Sequence, residues 1–437
     1  MPESSKTTIA PNVLKSAAAR VAERCDALAK FSDSDKELTR TFCSPAMKRA
    51  YDQLQTWMIS SGMECSLDSA GNLIGKFARS RNKLQNNFQH VTPSQLDQAE
   101  IFMIGSHLDT VVNAGRFDGT LGVLLGLGVV EILAESKTSL PFEVHIVAFS
   151  EEEGVRFRFP FIGSQGIAGT FDKANLDRLD ENEVTMRQAL EEFGCQANEI
   201  ESASYQGKPV IGFMEAHIEQ ATLLEEENLP VGVVSSIAGQ TRATISLFGQ
   251  AGHAGTVPHN RRRDAIAAAA ELVLKIEQIG RSTDGLFATV GSLVASPGLS
   301  NVISGSAELR LDLRHESDSQ REVAFQRIGE AIKEIELSRS VVAVLDPIEH
   351  SPAVPMDETL TSQLRSAITE LGLEAKTMVS GAGHDAMVMA QLAPSCMLFV
   401  RCRDGLSHNP AEFVAPEDIQ SALNIMVTAL IKMTSSK

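Results

Sequence analysis

Seven side chains carry the chemistry that this sequence offers: His107, Asp109, Asp118, Glu152, Glu153, His217 and His408. Each follows an apolar run or sits in a glycine-rich turn, the arrangement that gathers polar groups beyond the carboxyl ends of strands in an α/β sheet. Oxygen and nitrogen donors without thiolates select zinc, manganese, cobalt or a similar divalent ion over an iron–sulfur centre. Two such ions need a shared carboxylate to hold them about 3.5–4 Å apart, and the pair can then activate water and steady an oxyanion. Asp118, in Arg116-Phe117-Asp118-Gly119, is the best candidate for the bridge because the glycine permits a tight approach. Asp109, two residues beyond His107, is close enough to accept the other imidazole N–H and set the ligand tautomer. Of the adjacent Glu152 and Glu153, one can hold metal while the other takes a proton from water.

Singly, Asp109 or Asp118 is an ordinary loop acid, and Glu151 to Glu153 is a solvated charge run; only the set points to a site. His145 lies inside the apolar PFEVHIVAFS and is read as a strand histidine, and His90 and His350 are given no role.

The elements that must position the set alternate. IFMI (Ile101 to Ile104) reads as a buried strand, and TLGVLLGLGVVEIL (Thr120 to Leu133) as a packed helix. Before them come a helix from Asn12 to about Lys30 and a second that Ser44 caps and Pro45 begins. A hairpin is predicted around Asp68–Asn72, followed by a surface excursion over Ala78–Glu100. After the core pair, a strand at 143–149 leads to the Glu151–Gly154 loop, and a strand at Val210–Met214 is expected to end just before Glu215 and His217. From Gln240 to Leu345 the order is β-α-β-β-α-β, the split pattern of a ferredoxin-like domain. Beyond Pro352 the α/β character returns. The chain is therefore divided into a catalytic α/β domain in two parts, 1–227 and 349–437, with an inserted α+β domain at 228–348.

Composition narrows the partners. At 437 residues with 43% hydrophobic content, the chain can bury a large core. A formal charge of −17 argues against a nucleic acid or an anionic membrane as general partner, although a local Arg or a metal can still favour a small anionic substrate. Six cysteines without CxxC spacing fit structural thiols in a reducing compartment. MPESSKTTIAPNVLK has no apolar signal core and no run is long enough for a membrane helix, so a cytoplasmic location is expected.

The ordered motifs carry a resemblance. HLDT (107–110) with GRFDG (115–119), SEEEGVRF (150–157), EAHIEQ (215–220), AGQTR (238–242), GHAGTVP (252–258), GHDA (383–386) and SHNPAE (407–412) resemble the amidohydrolase branch of the M20-type dimetal peptidases. That branch contains allantoate amidohydrolases, ureidoglycolate and N-carbamoyl-L-amino acid amidohydrolases and β-ureidopropionase-like enzymes. The resemblance covers nearly the whole chain. It implies a metallopeptidase-like catalytic domain carrying the inserted ferredoxin-like domain, and a homodimer built largely through that insert.

Carried to this sequence, the resemblance implies two divalent ions, Mn2+ or Zn2+ with Co2+ or Ni2+ as further candidates. His107, Asp118 and His217 would hold one, and Asp118, Glu153 and His408 the other. Glu152 would be the base and Asp109 the partner of His107, while His253 would stabilise the transition state, reaching across the dimer. Asn301 and Arg314 would grip a substrate carboxylate, with Gln220 and His384 nearby; a bidentate Arg–carboxylate pair explains how an acidic protein takes an acidic substrate. Arg310 shares the strand parity of Arg314, and the family pattern selects Arg314. Two departures, Ala221 after the EQ pair and His259 after Pro258, remove no implied ligand.

The implied reaction is hydrolysis of a ureido C–N bond. The first substrate expected is allantoate, a purine-catabolism intermediate, giving ureidoglycine or ureidoglycolate with ammonia and carbon dioxide. N-carbamoyl-L-amino acids are the runner-up, then ureidoglycolate and, on the same scaffold, peptides. A non-catalytic binding protein is the reading that the complete ligand and base set opposes.

Overall fold

Strand Ile101–His107 is buried along its whole length, as a strand covered on both faces requires. The computed structural model describes residues 9–78 and 99–433, so the excursion expected at Ala78–Glu100 lies almost wholly outside the described residues. Ile101–His107 runs parallel to Glu143–Phe149 on one side and Val210–Ile218 on the other. Ser395–Val400 extends the parallel set beside Val210–Ile218. The hairpin Glu64–Leu67 and Leu73–Phe77 adds antiparallel strands next to Glu143–Phe149.

The described chain forms two compact units. One comprises the residues up to Ser235, Met356–Met378 and those from His384 onward; the other comprises Ser236–Pro355 and Val379–Gly383. In the first unit, helix Thr120–Glu135 is buried on nearly all sides and packs with Pro11–Leu28 and Pro416–Met433. It approaches the sheet closely: a methyl at Gly122 would stand 2.1 Å from the Ala216 carbonyl oxygen. Ser44 caps the helix that Pro45 begins, accepting from the Met47 N–H.

Two strands differ from the sequence reading. Val210–Ile218 continues through Glu215 and His217, because Ser395–Val400 pairs Met397 with Glu215 and Phe399 with His217. Val231–Ile237, where no strand is expected, pairs antiparallel with Ser395–Val400. Its partner lies far along the chain and leaves no local signal.

The second unit has the predicted β-α-β-β-α-β order, with strands Gly239–Phe248, Phe287–Ser296, Ser306–His315 and Val342–Ser351 and helices Ala265–Arg281 and Asp318–Arg339. All neighbours in its sheet are antiparallel, in the order Val342–Ser351, Gly239–Phe248, Ser306–His315, Phe287–Ser296. Alternation places Ile245, Leu247, Leu309, Leu311 and Leu313 in one core with Leu272, Ile276, Ile328 and Ile332 of the helices. No helix among the described residues is long and apolar enough to cross a membrane. All six cysteines are free thiols.

Candidate active site

The loop after Ile101–His107 wraps the end of its own strand. Gly119, at φ +60°, begins helix Thr120–Glu135, and a methyl there would stand 2.5 Å from the His107 ring. Glycine is therefore required both for the left-handed backbone and for the space. The turn brings Asp118 back over the sheet, where Oδ1 lies 3.0 Å from His217 Nε2 and 3.6 Å from His107 Nε2. Its other oxygen, Oδ2, lies 3.3 Å from His408 Nε2, which is in turn 3.4 Å from Glu153 Oε1. One carboxylate thus faces three imidazoles, one oxygen toward each side.

Hydrogen bonding fixes which nitrogens face inward. His107 Nδ1 lies 3.0 Å from the Asp109 carbonyl, and His217 Nδ1 lies 3.0 Å from the Ile218 carbonyl. A carbonyl only accepts, so both rings carry an N–H at Nδ1 and turn Nε2 toward Asp118, the nitrogen that would give its lone pair to a bound ion. The expected contact of His107 with the Asp109 carboxylate is present as well, at 3.3 Å. The same carboxylate does a second thing that sequence spacing does not reveal. Its two oxygens accept the backbone N–H groups of Glu152 and Glu153, at 3.0 and 3.1 Å. Asp109 therefore sets the geometry of the Glu pair as well as that of His107.

Three donor groups, each with atoms within 4.8 Å of one another, result: His107, Asp118 and His217; His107, Glu152 and Glu153; and Asp118, Glu153 and His408. Imidazole and carboxylate donors, with tautomers set by the carbonyls behind them, fit divalent ions of the zinc or manganese type. The clusters that share Asp118 make this a binuclear metal centre. Its halves differ in access, because His107 and His217 are buried while the His408 side chain is 49% exposed.

The electrostatics follow from this crowding. Burial would raise the Asp118 carboxyl, but the charge of His217 and hydrogen bonds from His107, His217 and His408 hold it well below the usual carboxylate range. Glu152 moves the other way. Burial and the neighbouring Glu153, Asp385 and Asp109 push it well above its ordinary value, despite the opposing pull of His107. His384, whose ring centroid lies 4.5 Å from that of His217, is held well below the usual imidazole value by burial and by His217.

Gln220 is drawn to the ligand set itself: its Nε2 donates to Asp118 Oδ2 at 3.1 Å and to Ser407 Oγ at 3.0 Å. In the second unit, His253 and Asn301 are neighbours. His253 pairs with Val302, and the Ala254 N–H donates to the Asn301 carbonyl at 3.0 Å. Arg314 is engaged through all three nitrogens, with Nε and Nη2 on Asp312 at 2.8 and 3.0 Å and Nη1 on the Gly381 carbonyl at 2.7 Å.

Several participants were not singled out by sequence reasoning. Glu412 is buried, and its Oε1 accepts the N–H groups of Phe117 and Asp118 at 2.6 and 3.0 Å. Ser407 donates to Asp118 Oδ2 at 2.5 Å. Both lie in SHNPAE, but their partner is far away in sequence. Buried Arg40 donates to the carbonyls of Leu108 and Leu28 at 2.6 and 2.8 Å, tying the loop beyond His107 to the first helix. Glu215, inside the strand that carries His217, accepts from Ser106 Oγ and the Ala386 N–H, both at 2.8 Å.

Known proteins share this architecture. The profile of peptidase family M20/M25/M40 matches residues 103–432. The chain is 37% identical to allantoate deiminase 1 of Glycine max, over 94% of this chain and 88% of that one. It is 35% identical to an N-carbamoyl-L-amino-acid amidohydrolase of Pseudomonas sp. (strain NS671), over 91% and 94% of the two chains. A hydantoinase/carbamoylase family amidase from Burkholderia multivorans superposes with a TM-score of 0.86 at 30% identity, over 95% and 98%.

Proposed function

The chain belongs to peptidase family M20/M25/M40 and is a metal-dependent hydrolase with a two-metal centre; within that family we propose that it splits a ureido C–N bond in a small carboxylated molecule, allantoate first. The observation that carries the hydrolytic part is the division of the Glu pair. Asp109 fixes both backbone N–H groups, Glu153 reaches His408 and Asp118, and the Glu152 carboxylate is close by with its proton affinity raised. A general base must be near the ligands without being used up as one.

When bound, the two divalent ions supply Lewis acidity that makes water a nucleophile at neutral pH and steadies the developing oxyanion. In the proposed sequence Glu152 takes the proton from the attacking water and returns it to the leaving nitrogen. The carbamate so released decomposes to ammonia and carbon dioxide. Asp109 keeps Glu152 in place through the backbone, while His384, held neutral, packs on His217. Stabilisation of the tetrahedral intermediate by His253 and a carboxylate clamp formed by Asn301 and Arg314, with Gln220 nearby, belong to the same proposal. So do a ferredoxin-like identity for the second unit, supported by its sheet order, and a homodimer.

N-carbamoyl-L-amino acids are the second reading, favoured by the likeness to the Pseudomonas enzyme. The discriminating experiment measures ammonia release from allantoate, ureidoglycolate and several N-carbamoyl-L-amino acids, and amine release from dipeptides, with Mn2+ or Zn2+ present. A tenfold preference in kcat/KM corresponds to about 1.4 kcal/mol, so modest selectivity is resolved. Faster turnover of an N-carbamoyl amino acid than of allantoate would reverse the order, and activity on dipeptides alone would sink the ureido assignment.

A further inference from the structure

The two oxygens of Asp118 have unequal surroundings. Oδ1 faces only the imidazole nitrogens of His217 and His107 among its described polar partners. Oδ2 faces His408 and also takes two uncharged donors, Ser407 Oγ at 2.5 Å and Gln220 Nε2 at 3.1 Å. A carboxylate only accepts, so the direction of the Ser407 contact is settled: the hydroxyl gives its single proton to Oδ2 and uses a lone pair for Gln220 Nε2, 3.0 Å away. Gln220, Ser407 and Asp118 form a closed triangle on the side of the bridge that also meets His408 and Glu153.

That side has the greater need of orientation. The inner donors, His107 and His217, are buried and their rings are held by carbonyls. On the outer side the His408 side chain is half exposed, and its backbone sits at φ +55°, a left-handed conformation uncommon for a residue other than glycine. Ser407 immediately precedes it. A hydroxyl seated on Oδ2 therefore limits rotation of the Asp118 carboxylate and, through the chain, places the segment carrying His408.

We infer that Ser407 is a positioning residue for the outer half of the two-metal centre, holding Asp118 Oδ2 and the His408 segment in ligating geometry. This rests on the reading of Asp118 as the shared ligand. Hydrogen bonds of this kind behind a ligand are worth about 10- to 100-fold in metal affinity, and here the loss should fall on one ion and spare the other.

The test is titration of chelator-stripped protein with Zn2+ in competition with a chromophoric chelator. The parent is expected to take up two equivalents. Ser407→Ala should keep one at parental affinity and bind the other about 10- to 100-fold more weakly, and Ser407→Thr, which keeps the hydroxyl, should restore it. His408→Ala, lacking a donor on the same side, should weaken the same equivalent and so identify it. Two equivalents of parental affinity in Ser407→Ala would overturn the role of Ser407. Equal weakening of both would overturn its selectivity. A parent that takes up a single equivalent would instead overturn the shared-ligand reading.

Discussion

Glu412 offers the most direct test of how the metal loop is held. Its Oε1 accepts the backbone N–H groups of Phe117 and Asp118 at 2.6 and 3.0 Å, and these contacts join positions 295 and 294 residues apart. The loop is moulded round the carboxylate, since a methyl at Gly115 would stand 2.3 Å from Glu412 Cδ. In Glu412→Ala two buried N–H groups lose their acceptor. At about 1–3 kcal/mol each, the expected destabilisation is about 2–6 kcal/mol, before any cavity term. Glu412→Gln keeps an oxygen at the same reach, so it should recover most of that loss. Urea unfolding with saturating Zn2+ measures both, followed by fluorescence of Trp57, the single tryptophan of the chain and part of the first unit. If Glu412→Ala unfolds within about 0.5 kcal/mol of the parent, the range of an ordinary surface change, the carboxylate does not hold the loop. Equal losses in the Ala and Gln variants would also refute the acceptor argument, because only one of them lacks the oxygen.

Glu152→Gln should retain both metal equivalents by elemental analysis and lose about 10²- to 10⁴-fold in kcat; parental turnover would remove Glu152 as the base. Arg314→Ala should raise KM for carboxylated substrates by the equivalent of about 1.5–3 kcal/mol and leave an uncharged ureido analogue unaffected, so equal effects on both would exclude a carboxylate clamp. Asp68, half-buried in the hairpin turn, is pushed up to about 6 from 3.8 by desolvation of its carboxyl, against the hydrogen bonds of Asn72, Ala70 and Gly71. Its folded value lies above its unfolded one, so its contribution is full below about 4 and is lost as pH rises through about 6. Relative to Asp68→Asn, the parent should therefore lose up to about 3 kcal/mol between pH 4 and pH 7 at roughly 1.36 kcal/mol per pH unit, and a pH-independent difference in urea unfolding would refute the shift.

What could be read from the sequence was whatever repeats locally. The buried run Ile101–His107, the apolar helix behind Thr120 and the β-α-β-β-α-β order of the second unit all announce themselves through periodicity and glycine placement. The residues of the metal clusters were legible for the same reason, as polar groups following apolar runs. Position within the strand was not: His217 lies inside Val210–Ile218 because a distant strand, Ser395–Val400, prolongs the ladder. Val231–Ile237 was missed on the same account. Ser407 and Glu412 were visible as letters of a motif, but their work depends on Asp118, and no local pattern specifies a contact across some three hundred residues.

The distant residues also explain how so much negative charge is tolerated in one place. Asp109, Asp118, Glu151, Glu215, Asp385 and Glu412 are all buried in the first unit. A buried carboxylate is costly unless donors or cations meet it, and here the donors are distributed unevenly. Asp109 has two backbone N–H groups and His107, with the buried guanidinium of Arg40 held nearby. Glu215 accepts from the Ser106 hydroxyl and the Ala386 N–H, and one oxygen of Glu412 accepts the N–H groups of Phe117 and Asp118, all from segments that carry site residues. Asp118 has the imidazoles, Ser407 and Gln220, yet no Arg or Lys at ion-pair distance among the described residues. Glu153, likewise, meets only His408 as an ion-pair partner among the described residues. Asp118 and Glu153, whose ion-pair partners among the described residues are all histidines, are carboxylates that group with His107, His217 and His408, so the charge of this pair is left to be met by the divalent ions.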